Sequence, residues 1–130
     1  MQRIFAADIG GTNARFALFV EHEGNLELRL AVWEKSADLH TAQDMLRTMQ
    51  QQLQTSLAEG DALVVALAGP TQELQGKLTN GPLRVDLNGV AQRYNLACCL
   101  LINDFTAQAY AMLTPAGAGA KIVRGGERAN

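Results

Sequence analysis

The sequence predicts an α/β fold, a mixed five-stranded sheet with helices packed on it. Three observations carry that expectation. Three alternating segments follow one another between Ile4 and Trp33, separated by tight turn signals, as in an antiparallel meander. Two solid apolar runs, Leu63 to Ala68 and Cys98 to Ile102, have the look of strands covered on both faces. Helix-period segments separate these runs, and a helical crossover between buried strands implies parallel pairing.

The elements then follow in the order βββαβαβα. Ile4-Phe5-Ala6-Ala7 is a short apolar run that ends at Gly10-Gly11, reading as a buried strand and a tight turn. Ala14 to Val20 resumes as a strand, with Phe16, Leu18 and Val20 alternating with Ala17 and Phe19. Glu23-Gly24-Asn25 supplies the next turn. In Leu26 to Trp33, Leu26, Leu28, Leu30 and Val32 are expected on one face. Thr41 is a helix N-cap with Asp44 in a capping-box position. Behind it Met45, Leu46, Met49, Leu53 and Leu57 recur at helical spacing, and the helix is expected to stop near Gly60. Gly69-Pro70 ends the first apolar run. Asp86 is expected to cap a shorter helix with Leu87, Val90, Ala91 and Tyr94 on one stripe. Asn103-Asp104 ends the last strand and opens a third helix through Phe105, Ala109 and Met112. From Pro115, the glycine and alanine of Ala116 to Ala120 read as a hinge.

Composition narrows the function class. With 130 residues, 48% of them apolar, the chain suits one domain with a real core. Eleven basic and 13 acidic residues give a net charge of −2, which argues against nucleic acid as a partner. The uncharged stretch around Leu96 to Ile102 is far too short to span a membrane. Met1-Gln2-Arg3-Ile4 runs straight into a strand, so the expectation is a cytoplasmic protein. Cys98 and Cys99 are adjacent, and neighbours in a strand point to opposite faces, so they read as small buried thiols without a bridge. His22 and His40 have no second ligand at metal spacing and read as surface or loop residues.

Three segments have the means for chemistry. In Asp8-Ile9-Gly10-Gly11-Thr12-Asn13, two glycines let the backbone turn sharply and expose N–H groups, an arrangement that binds anions. A branched residue at Gly11 would block backbone approach to a phosphate and disfavour positive φ. Thr12 and Asn13 add side-chain donors, and Asp8 adds a carboxylate able to hold a metal-bound water. Together they suit a nucleotide phosphate with Mg²⁺; an ordinary glycine hairpin is the other reading. Neither GxxxxGK[ST] nor GxGxxG is present. Asn103-Asp104 stands at the C-terminal end of a strand, where open α/β sheets bind ligands. There a carboxylate kept ionised by a helix N-terminus can accept a proton from a hydroxyl; a plain N-cap aspartate is the alternative. Leu78-Thr79-Asn80-Gly81-Pro82, taken alone, is a turn.

Taken together, these segments resemble the bacterial glucokinase family of the actin-like sugar-kinase superfamily. ADIGGTNARFAL at Ala7 to Leu18 resembles its first phosphate motif, and LINDFTAQA at Leu101 to Ala109 its sugar-binding and catalytic segment. ALAGPT at Ala66 to Thr71 and LTN at Leu78 to Asn80 fall between them in the family's order. The resemblance covers nearly the whole chain, and the NDF-[TS]-A pattern separates this family from the related repressor–kinase group.

The resemblance implies a ribonuclease H-like lobe of an actin-like ATPase fold over residues 1–114, with 115–130 leading to a second lobe. It implies ATP-dependent phosphorylation of glucose at O6, with ATP and Mg²⁺ as cofactors. Asp104 would be the catalytic base facing the 6-hydroxyl, and Asn103 would hydrogen-bond sugar hydroxyls. Gly10, Gly11, Thr12 and Asn13 would form the phosphate-side hairpin, with Asp8 near Mg²⁺ through water. Asn80 would line the sugar side. Members commonly carry a tryptophan a few residues after the TN pair, near where Leu83 stands here. They are also more than twice as long, and their second lobe supplies the other phosphate loop and the adenosine pocket. The lone lobe is therefore expected to be inactive and to self-associate as a dimer or larger. A kinase for another hexose, or a sugar-sensing module of the same fold, would share these residues.

Overall fold

The structure is a computed structural model that describes residues 2–103. Asp104, the expected third helix and the segment 115–130 lie outside the described residues. Strands β1 (Gln2–Ile9), β2 (Asn13–His22) and β3 (Asn25–Lys35) form the expected meander. A 3-10 turn at Ser36–Asp38 leads to α1 (Ala42–Leu53) and β4 (Ala62–Leu67). Three short strands follow, β5 (Thr71–Gln72), β6 (Gln75–Lys77) and β7 (Arg84–Asp86), then α2 (Val90–Tyr94) and β8 (Cys98–Ile102).

The main sheet has five strands in the order β3-β2-β1-β4-β8. β1 pairs with β2, and β2 with β3, antiparallel; β1 with β4, and β4 with β8, parallel. All six residues of β4 are buried, as its unbroken apolar run requires. One face of the sheet carries Phe5, Ala7, Ile9, Phe16, Leu63, Val65 and Leu67 against Met45, Leu46, Met49 and Leu53 of α1. The opposite face gathers Ile4, Ala6, Ala17, Leu26, Ala62 and Val64, with Cys98, Leu100 and Ile102 half-buried beside them.

The start of α1 matches the sequence: the Thr41 hydroxyl accepts from Asp44 N–H, and the Asp44 carboxylate accepts from Thr41 N–H. Its end does not. The helix stops at Leu53, because Gln54 adopts a left-handed conformation at φ 59°. Leu57 still reaches the core from the loop, held by its N–H donating to Gln50 Oε1 at 2.9 Å.

Three further expectations are corrected. Leu26, Leu28, Leu30 and Val32 do not share a face. Leu18 pairs with Leu30 but Phe19 pairs with Leu28, so Arg29 is an extra residue in β3. That bulge turns Leu26 and Val32 toward opposite faces, and it leaves Leu28 half-exposed. Asp86 does not cap α2. It ends β7, and its carboxylate accepts from Asn88 N–H and Nδ2 at 2.9 and 2.8 Å, which lowers its pKa. The N-cap residue is Gly89 at φ 84°. Finally, the stretch from Thr71 to Asp86 is a small three-stranded sheet, β5-β6-β7, rather than a plain connection. From in and around it Leu78, Leu83, Val85 and Leu87 enter the core with almost no exposure. Leu83 is thus a core residue.

The cysteines are unbridged and half-buried. Burial, and then the neighbouring Cys98, push the Cys99 thiol up to about 11. His22 and His40 are exposed, as expected.

Candidate functional site at the carboxyl edge of the sheet

β1, β4 and β8 run parallel, so their C-terminal ends share one edge. In register, Asp8 lies beside Ala66, and Ala66 beside Ile102. Asn103 follows directly and is exposed. The hairpin Gly10-Gly11-Thr12 rises from the same edge, between β1 and β2.

This hairpin has a definite polarity. Gly10 N–H donates to Asn13 O at 2.9 Å and closes the turn. Two of its carbonyls face inward to one residue: Ser36 Oγ donates to Gly10 O at 2.6 Å, and Ser36 N–H to Thr12 O at 3.0 Å. Ser36 is fully buried. The N–H groups of Gly11 and Thr12 have no acceptor among the described residues, and both residues are exposed. The Gly10 carbonyl being held inward, the Gly11 N–H of the same peptide points outward, as the donors of an anion-binding nest do.

Neither Gly10 nor Gly11 has positive φ, so that expectation for Gly11 is not met. Close approach is the reason for a glycine there. A Cβ on Gly11 would lie 3.1 Å from Asn80 Cβ and 3.2 Å from Asn80 O. The Leu78-Thr79-Asn80 turn thus rests directly on the hairpin. Thr79 N–H donates to Ala68 O at 3.1 Å, and Ala68 N–H to Ile9 O at 2.9 Å, which ties the turn, the end of β4 and the end of β1 into one ledge. Gly69 permits this crossing, since a Cβ there would fall 1.9 Å from Lys77 O.

The structure accordingly brings Asp8, Gly10, Gly11, Thr12, Asn13, Asn80 and Asn103 to one edge, and Asp104 follows that edge in the chain. Asp8 is half-buried and directly opposite Arg15 on β2. The Arg15 guanidinium lies over the exposed Trp33 ring at 5.9 Å. Sequence reasoning missed Ser36 and the close backbone crossing that requires glycine at Gly69. Ser36 carries no local signal: only the register of β2 on β3, in which Asn13 faces Lys35, stands it beside the glycine turn.

A family model for glucokinase matches residues 5–130. The chain belongs to the glucokinase family. It is 39% identical over 105 residues to a glucokinase of Caulobacter vibrioides, covering 80% of this chain and 31% of that one. It is 34% identical over 124 residues to a glucokinase of Sinorhizobium fredii, covering 95% of this chain and 35% of the relative. A crystal structure of glucokinase from an Antarctic psychrotroph superposes with a TM-score of 0.67 at 31% identity, covering 88% of this chain and 36% of that one. The chain thus spans about a third of the length of the curated relatives it matches, in their N-terminal region.

Proposed function

We propose that residues 1–114 are the first lobe of an actin-like, two-lobed kinase that transfers phosphate from ATP to O6 of glucose, with 115–130 leading to the second lobe. The observation that carries this reading is the donor-outward hairpin, locked to the Asn80 turn at the carboxyl edge of the sheet, in a chain of the glucokinase family. The outward Gly11 N–H, the Thr12 N–H, unpaired among the described residues, and the Thr12 and Asn13 side chains hold the phosphates of ATP. Asn80 and Asn103 hold sugar hydroxyls. Asp104 accepts the proton from the 6-hydroxyl as O6 bonds to the γ-phosphorus and the bond to the β,γ-bridging oxygen breaks. The donor set fits Mg²⁺ as well, since that ion is commonly held by one or two carboxylates together with substrate phosphates, and Asp8 is a half-buried carboxylate beside the hairpin. When bound, Mg²⁺ neutralises charge that develops on the transferring phosphoryl group.

No described helix is long and apolar enough to cross a membrane. A cytoplasmic enzyme that takes sugar and nucleotide from solution is consistent with that. Residues 1–130 alone would have one wall of a cleft, so they are inactive by themselves and self-associate through surface that the second lobe would cover.

The test is Asp104→Asn in the complete kinase. The amide keeps hydrogen bonds but accepts no proton, so kcat falls roughly 100- to 10,000-fold while glucose affinity changes little. Retention of more than about a tenth of the activity removes Asp104 from the role of base. Preference for another hexose in the same assay would change the substrate and leave the lobe assignment standing.

A further inference from the structure

The polarity of the hairpin is imposed by a residue outside it. In a trans peptide the C=O of one residue and the N–H of the next lie in one plane and point in opposite directions. All the described peptide bonds are trans. The Gly10 carbonyl is drawn inward by Ser36 Oγ at 2.6 Å. The Gly11 N–H of that same peptide must then point outward. Ser36 N–H holds the Thr12 carbonyl inward at 3.0 Å, so one residue grips the loop at both ends. Ser36 is in turn held in place. It opens the 3-10 turn, its carbonyl accepts from Leu39 N–H at 3.0 Å, and Leu39 is fully packed in the core.

We propose that Ser36 is a positioning residue for nucleotide: its hydroxyl fixes the Gly10–Gly11 peptide in the orientation that offers the Gly11 N–H to a phosphate oxygen of a nucleoside di- or triphosphate. This rests on the reading of the hairpin as the phosphate side of a kinase site. Glycines on both sides of the peptide make it free to rotate when the hydroxyl is lost. A half-buried carbonyl stripped of its donor is driven by that loss toward another partner. Ser36 touches neither nucleotide nor sugar on this account. Its removal therefore acts on one ligand only, and only through the hairpin.

The experiment uses the complete kinase, wild type and Ser36→Ala, titrated separately with MgADP and with glucose while the backbone amides of Gly11 and Thr12 are followed by NMR. In the wild type MgADP shifts both amides. In Ser36→Ala the Kd for MgADP rises about tenfold, the cost expected for losing one hydrogen bond to a charged group. The Kd for glucose stays within about twofold, and the Gly11 amide resonance moves before any ligand is added. Ser36→Thr, which keeps the hydroxyl, restores most of the MgADP affinity. If Ser36→Ala fails to fold, Ser36→Cys takes its place, since it keeps the shape with a much weaker donor. An unchanged Kd for MgADP, or an equal loss for both ligands, overturns the positioning role while leaving the hairpin's own role intact. If MgADP leaves the wild-type Gly11 and Thr12 amides unmoved, the nucleotide reading itself fails, and this inference fails with it.

Discussion

The two ends of the parallel strands handle polar groups in opposite ways. At the amino end, Arg3 on β1 donates to both Asp61 carboxylate oxygens at 3.1 and 2.6 Å, to Thr55 Oγ1 at 2.9 Å and to Ser56 O at 2.7 Å. Asp61, almost fully buried, also accepts from Ala58 N–H at 2.8 Å, and its own carbonyl accepts from Ala97 N–H. Each nitrogen of the Arg3 guanidinium and both oxygens of the Asp61 carboxylate find a partner within the chain. At the carboxyl end the Gly10 and Thr12 carbonyls of the hairpin are likewise satisfied, but the Gly11 N–H is turned outward, and the Thr12 N–H has no acceptor among the described residues. Closed polar pairing fastens loops to a sheet; incomplete pairing leaves backbone donors open, and that is what a ligand can use. Charge content does not separate the two ends, since each has an aspartate and an arginine: Arg3 and Asp61 at one, Asp8 and Arg15 at the other.

The largest effect that breaks the comparison is expected at Gly69. Its missing side chain lets β4 and β6 cross, and a Cβ would sit 1.9 Å from the Lys77 carbonyl, a backbone atom that cannot step aside alone. Gly69→Ala should destabilise by about 3 kcal/mol and weaken both ligands, because the ledge joining Ile9, Ala68 and Thr79 must shift. Urea unfolding and paired titrations check this. Next comes the closed knot. Asp61→Asn removes the charge opposite Arg3 and should cost about 2–3 kcal/mol, less than a wholly buried pair because Arg3 is partly exposed. Its kcat and both KM values should stay near those of the wild type at temperatures where it is folded. Loss of activity in the folded Asp61→Asn protein would mean that the two ends are not independent.

How much of this was legible in the sequence varies with the length of each pattern. The meander, the all-buried β4 and the Thr41–Asp44 box follow from local repeats of four or more residues, and the structure has them. β5, β6 and β7 span only two or three residues each, too few to show an alternation. The single extra residue at Arg29 defeats a period-two reading, because one bulge inverts every side chain beyond it. Around the hairpin the glycines were visible but their reason was not. Gly11 is glycine because Asn80 lies against it, a contact between residues far apart in the chain. Ser36 was invisible for the same cause: its partners are Gly10 and Thr12, and only the register of β2 on β3 brings them together.

A smaller effect sharpens the comparison within the open end. Gly11→Ala places a Cβ 3.1–3.2 Å from Asn80, tight but short of collision. Stability should fall by no more than about 1 kcal/mol, whereas the KM for ATP should rise about tenfold, and the KM for glucose by a lesser factor transmitted through Asn80. A loss confined to glucose would reverse the assignment of the hairpin to phosphate.

The smallest effect belongs to a polar cluster that is closed on itself yet wholly at the surface. The Asp44 pKa is lowered, first by the Arg47 guanidinium donating at 2.8 Å and then by the His40 and Thr41 N–H groups. A carboxyl whose folded pKa is depressed stabilises the fold at pH above its unfolded value, and that contribution disappears as pH falls through the folded pKa. At neutral pH the carboxylate half of the capping box is therefore fully in place; in acid it is lost. Thr41→Ala removes the hydroxyl that accepts from Asp44 N–H and should cost about 1 kcal/mol at neutral pH. Asp44→Asn should cost less, and its difference from the wild type should shrink as the pH is lowered below the ordinary carboxylate range, when both side chains are uncharged. Neither change should move the affinity for nucleotide or glucose, because every bond it breaks closes on the start of α1 and none points outward. Thermal unfolding at two pH values gives the stability differences, and titration of both ligands at neutral pH gives the control. If Thr41→Ala weakened MgADP binding at unchanged stability, the N-terminus of α1 would belong to the open end of the molecule, and the division drawn between paired and outward-facing polar groups would have to be moved to include it.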